Sequence, residues 1–127
     1  MDWIQQAVRD FGNSLGIDNL QFDADHGIEL ALDAGELVGI ACSPELPLQE
    51  MLVYASAPLA FDPLPQMALA LRHSNARHGA APYPQAAIIA NRLVLAVRLD
   101  AREFSLPALD DAVWRLVDMQ HEAAAAS

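Results

Sequence analysis

Four histidines and one cysteine are the residues of this chain best suited to chemistry, and their spacing joins none of them into a site. His26, His73, His78 and His121 have no metal-ligand spacing relative to Cys42 or to one another. His73 and His78 are five positions apart, a poor match to one helical face. Cys42 sits on the apolar phase of an expected strand and reads as an inert core thiol, because a nucleophile needs an electropositive, accessible setting. Asp23, Asp25 and Glu29 lack the calcium-loop spacing and its distal glutamate, so they read as a solvated acidic turn. The Gly12–Gly16 stretch has no preceding strand and no phosphate-loop lysine, and reads as a helix terminator. Asp100, Glu103, Asp110 and Asp111 read as helix-end electrostatics. No nucleophile, base and orienting group come together, so no catalytic residue, metal or cofactor is expected and the chain is read as a non-enzyme.

The totals narrow the choice of partner. Seventeen acidic against seven basic residues give a formal net charge of -10, which argues against nucleic acid and anionic membranes. Hydrophobic residues make up 54% of the 127 and charged residues only 19%, so the excess apolar surface needs a core, an oligomer or a partner. The lone Cys42 fits a reducing compartment, and Met1-Asp2-Trp3 lacks the basic start of a signal peptide. The longest uncharged runs, such as Met51 to Phe61, are too short and Pro-broken to span a bilayer. A cytosolic protein is expected, with residues 1–127 forming one domain and 122–127 a disordered tail.

Hydrophobic periodicity supplies the elements. Asp2 to about Leu15 predicts a helix stopped at Gly16, with Trp3, Ile4, Ala7, Val8, Phe11 and Leu15 on its apolar stripe. From Leu20 the period falls to two: a short strand at Leu20–Phe22, then Ile28–Leu32, Glu36–Cys42 and Glu50–Ala57. Asp62 caps and Pro63 opens a central helix that Gly79 ends, and its predicted core stripe is Leu64, Met67, Ala68, Leu71 and Asn75. Ala86–Ala90 and Leu93–Leu99 form a hairpin across Asn91-Arg92. Ser105 caps a last helix whose buried face carries Leu106, Leu109, Val113, Leu116, Val117 and Gln120. The class is therefore α+β: an antiparallel twisted sheet with three helices, in the order α-β-β-β-(β)-α-β-β-α with one optional strand.

Two features exceed what a simple core requires. The central helix is poor in charge on a second side, around Pro65, Leu69 and Ala76, which suggests a second copy of the protein there. In the sheet, Leu37, Gly39 and Ala41 lie opposite Val38, Ile40 and Cys42, and Leu52 and Tyr54 lie opposite Met51, Val53 and Ala55. Both phases of these strands are apolar, which fits either a binding module whose partner covers the outer one or a sheet with helices on both faces.

The order of elements and several stretches resemble the small acidic chaperones of type III secretion, the effector-specific class that includes the Tir chaperone family. The stretches are Leu15-Gly16-Ile17, Leu20-Gln21-Phe22-Asp23 through Gly27-Ile28-Glu29-Leu30, Leu69 and Leu71 followed by Asn75, the hairpin around Asn91, and Ser105-Leu106 through Leu109 to Trp114–Met119. The resemblance covers nearly the whole chain and rests on order and hydrophobic pattern. It implies a bacterial cytoplasmic homodimer that holds the N-terminal segment of one secreted effector extended, soluble and secretion-competent, without ATP. On that reading Pro65, Leu69 and Ala76 are the dimer contacts, and Leu37, Ala41, Leu52 and Tyr54 the effector contacts. The competing expectation is a small α+β domain with a ligand or substrate pocket between helix and sheet.

Overall fold

The structure is a computed structural model that describes residues 2–17, 27–32, 35–42, 50–60, 62–73, 85–100, 102 and 104–125. Its elements are α1 (Asp2–Ser14), β1 (Gly27–Ala31), β2 (Leu37–Cys42), β3 (Glu50–Pro58), α2 (Pro63–His73), β4 (Gln85–Ile89), β5 (Arg92–Asp100) and α3 (Leu106–Ala125). The five strands form one sheet in the order β1-β2-β3-β5-β4, with every pairing antiparallel. This is the expected α+β class and element order. The expected strand at Leu20–Phe22 and the stop at Gly79 lie outside the described residues.

The ends of the helices follow local chemistry. Gly16, at φ +81°, closes α1: its N–H donates to Asn13 O and the Ile17 N–H to Gly12 O, the paired bonds of a left-handed helix cap. Asp62 Oδ1 accepts from the Leu64 N–H at 3.3 Å, and Pro63 occupies the first helical position of α2. Ser105 Oγ accepts from the Ala108 N–H at 3.2 Å and caps α3. The tight turn between β4 and β5 is Ala90-Asn91, one residue earlier than expected, with both residues at positive φ (51° and 62°).

The core lies between one face of the sheet and the helices. Val38, Ile40, Met51, Val53, Ala55, Leu93, Leu95 and Val97 are buried there against Val8 and Phe11 of α1 and Leu109, Val113, Leu116 and Val117 of α3. Gln120 of α3 is also inside, donating from Nε2 to Ala55 O and Leu93 O, each at 2.8 Å. These bonds tie the helix directly to β3 and β5. The helix continues to Ala125 and Ala123 is fully buried, so the expected tail from 122 carries packing as far as that residue. A run of alanines has no amphipathic signal, yet the small side chain fits where the helix lies close to its neighbours.

The central helix corrects a second expectation. Gln66 and Ala70 are its buried residues, each 1% exposed, and Leu69 packs against the core from a half-buried position. Leu64, Ala68 and Leu71 of the expected core stripe are exposed, Leu64 at 70% and Leu71 at 61%. A helix apolar on two sides has two candidate core stripes, and here a polar side chain decides. Gln66 Oε1 accepts from the Ala60 N–H at 2.8 Å and its Nε2 donates to Pro58 O at 3.3 Å. Those bonds satisfy the backbone of the β3–α2 connection, which fixes the rotation of the helix.

Candidate protein-binding surface

The outer face of the sheet is built in rows across the strands. One row runs Glu29, Gly39, Tyr54, Ala96, Gln85, and the next runs Ala31, Leu37, Ser56, Val94, Ala87. A third carries Gly27, Ala41, Leu52 and Arg98. Glycine at position 39 has a specific reason: a Cβ there would collide with the Tyr54 ring. The ring therefore lies across β2, and its hydroxyl donates to Glu29 Oε2 at 2.7 Å. Burial pushes the Tyr54 hydroxyl up to about 12, and the hydrogen bond to Glu29 and the charge of that carboxylate add to the rise. Tyr54 is thus a neutral donor throughout the physiological range.

A long reach from β5 braces the same face. Arg92 donates from Nε to Ser56 Oγ at 3.0 Å, and from Nη2 to Ser56 O at 3.2 Å and Gly35 O at 3.1 Å. One guanidinium thereby ties β5 to β3 and to the β1–β2 turn. Between these polar fixtures lies an apolar trough of about 550 Å³, walled by Leu37, Leu52, Tyr54, Val94 and Ala96. The helices pack on the opposite phase of the strands, so none of the described helices covers it.

A second concavity, of about 390 Å³, lies on the helix side between the end of α1, β1 and α3. Its walls are apolar and Glu36 and His121 lie within it. Two polar pairs lie nearby on the chain. Arg102 holds the Asp100 carboxyl down to about 2 through hydrogen bonds to its side chain and backbone N–H. Asp110 accepts from Trp114 Nε1 at 3.0 Å. Among the described residues there is no group of three or more His, Cys, Asp or Glu able to hold a metal ion, and no helix long and apolar enough to cross a membrane.

No protein-family model and no curated protein matches the chain. Solved structures do. A chain of the HopA1–SchA chaperone–effector complex superposes with a TM-score of 0.77 at 17% identity, covering 98% of this chain and 94% of that one. A chain of the ExsC–ExsE complex gives 0.75 at 16% identity, over 96% and 91%. A chain of the complex of the Yersinia pestis type III secretion chaperone SycH with a stable fragment of YscM2 gives 0.69 at 18%, over 98% and 99%. The fold is that of type III secretion chaperones. At these identities the likeness is one of fold, and it extends over nearly the full length of each chain.

On this fold Leu37, Leu52 and Tyr54, singled out from strand phase, come together in the trough. Ala41 shares their face, opposite Leu52 in register and half-exposed, just beyond the trough. Pro65 is half-buried on α2, Leu69 is turned toward the core, and Ala76 lies outside the described residues. Sequence reasoning missed Val94, Ala96, Arg92 and Glu29 as parts of the outer surface. The alternation in β5 carried the signal for the first two; the reaches of Tyr54 to Glu29 and of Arg92 to Gly35 have no local signature.

Proposed function

We propose that this chain is an effector-specific type III secretion chaperone, of the kind typified by the Tir chaperone family, acting in the bacterial cytoplasm without catalysis. It holds the N-terminal segment of a secreted effector extended, masks its apolar residues and keeps it soluble for export. The observation that carries this reading is the open apolar trough on a fold shared with proteins solved as chaperone–effector and chaperone–fragment complexes. Leu37, Leu52 and Tyr54 receive apolar side chains of the segment, with Ala41 at the rim. Main-chain pairing at a sheet edge supplies affinity that is independent of sequence.

The working unit is a homodimer through α2. Leu64, Ala68 and Leu71 form an exposed apolar stripe on that helix, and Ile88 of β4 is exposed as well. Pro65 borders the stripe, and Leu69 supports it from the core side. A charge on this helix, as in Leu69→Asp, yields monomer or aggregate by light scattering; a well-folded dimer of that variant removes Leu69 from the assignment.

The deciding experiment captures the tagged protein from its native host under secretion-inducing conditions and subjects the complex to limited proteolysis. One large partner trimmed to a protected N-terminal piece supports the chaperone reading, and Leu52→Glu with Tyr54→Glu then abolishes capture while the fold persists. A clean protein with no attached segment, stabilised instead by a small molecule, overturns it.

A further inference from the structure

The groove between α1, β1 and α3 contains a carboxylate with incomplete hydrogen bonding. The Glu36 side chain is 7% exposed, and His121 Nε2 lies against its Oε1. Its Oε2 is buried and has no hydrogen-bond partner among the described residues. Burying a charged oxygen without a partner is costly, so few such atoms persist without a reason. The imidazole beside it belongs to a side chain that is 55% exposed on the surface of α3. Leu15, Leu30, Leu32 and Val117 wall the groove with hydrocarbon, and the partly exposed ring of Trp114 completes it.

We propose that this groove binds an arginine side chain of a bound peptide segment, which displaces His121 from Glu36. A guanidinium presents two parallel N–H donors whose spacing matches both oxygens of one carboxylate, whereas the imidazole nitrogen serves only one. The apolar walls suit the methylene stem, and the Trp114 face is a favourable neighbour for a guanidinium. The charge is complementary on both scales, a single buried carboxylate locally and a chain of formal net charge -10 overall. His121 acts as a plug that holds the groove until a better donor enters. The proposal rests on the chaperone reading only in taking the occupant to be a peptide segment.

The test uses the full chain and two capped pentapeptides. One has a central arginine flanked by alanine and leucine; the other carries citrulline, which keeps the shape and loses the charge. Histidine ring resonances are followed by NMR during titration. The arginine peptide is expected to move the His121 signals and to bind about ten-fold more tightly than the citrulline peptide, the scale of one charge-assisted hydrogen bond. Glu36→Gln equalises the two peptides, and His121→Ala tightens the arginine peptide alone. Equal binding of the two peptides by the native chain, binding by neither, or a preference that survives Glu36→Gln overturns the proposal. Should Glu36→Gln fail to fold, His121→Ala decides, since unchanged arginine affinity there also overturns it. Effector capture through the outer trough is read separately. Lost arginine preference with capture intact rejects only the groove, and absent capture with the preference intact rejects only the chaperone reading.

Discussion

Both faces of the sheet carry large apolar side chains, and these meet opposite fates. Val38, Ile40, Val53 and Leu95 on one face are covered by α1 and α3, while Leu37, Leu52, Tyr54 and Val94 on the other line an open trough. The difference lies in what sits between the large side chains. The inner face is continuous hydrocarbon apart from Gln120, whose bonds tie the helix to strand carbonyls. The outer face carries fixtures that complete themselves without a covering helix: Tyr54 on Glu29 across Gly39, and Arg92 on Ser56 and Gly35. An apolar surface braced in this way is stable enough to remain open and still favours an apolar partner.

The largest contrast comes from charge. Val53→Asp places a carboxylate in the fully buried layer and is expected to prevent folding, a loss of more than about 4 kcal/mol in urea denaturation. Leu52→Glu, its neighbour on the outer phase, is expected to stay within about 1 kcal/mol of the parent. Equal losses at the two positions would mean that the outer face is covered in solution by the protein itself.

Gly39 gives the next effect. Gly39→Val forces the Tyr54 ring off β2 and is expected to cost about 1–3 kcal/mol by thermal denaturation. Much of that loss should return when Tyr54→Ala is added. A cycle without such coupling would show that the ring does not set the need for glycine.

At the hairpin, Ala90 holds φ +51°, a left-handed conformation that costs a residue bearing a Cβ roughly 1 kcal/mol. Ala90→Gly is therefore expected to stabilise by about 0.5–1 kcal/mol, and to leave both faces unchanged.

The last effect is read as a slope with pH. The folded Tyr54 hydroxyl titrates near 12 against 10.0 for the free side chain, so the unfolded chain releases its proton first as pH rises. The stability this adds is fully present below pH 10 and is lost between pH 10 and 12. Tyr54→Phe should flatten that part of the profile; an unchanged slope would mean that burial and Glu29 together do not raise the Tyr54 hydroxyl.

How far each feature could be read from the chain depended on how local its cause is. Gly16, Asp62 and Ser105 were legible as helix ends because each acts within three or four residues. The strand phases were legible because alternation is a property of one strand, and they correctly grouped Leu37, Leu52 and Tyr54. The face of α2 was not legible: Leu64 and Leu71 looked like core, and the deciding bonds belong to Gln66, a polar residue. Arg92 was equally hidden, since its partners lie 36 and 57 positions away. The packing of Ala123 left no mark in an alanine run.

By itself the sequence determined that both phases of β2 and β3 are apolar, where the helices begin, and that the class is α+β, because these follow from residue type and short-range period. Only the tertiary structure decided which phase is covered, which side of α2 faces outward, and that Glu36 lies beneath His121. A two-sided apolar pattern is symmetric along the strand. The symmetry is broken when α1 and α3 dock on one side, through contacts between residues far apart in the chain.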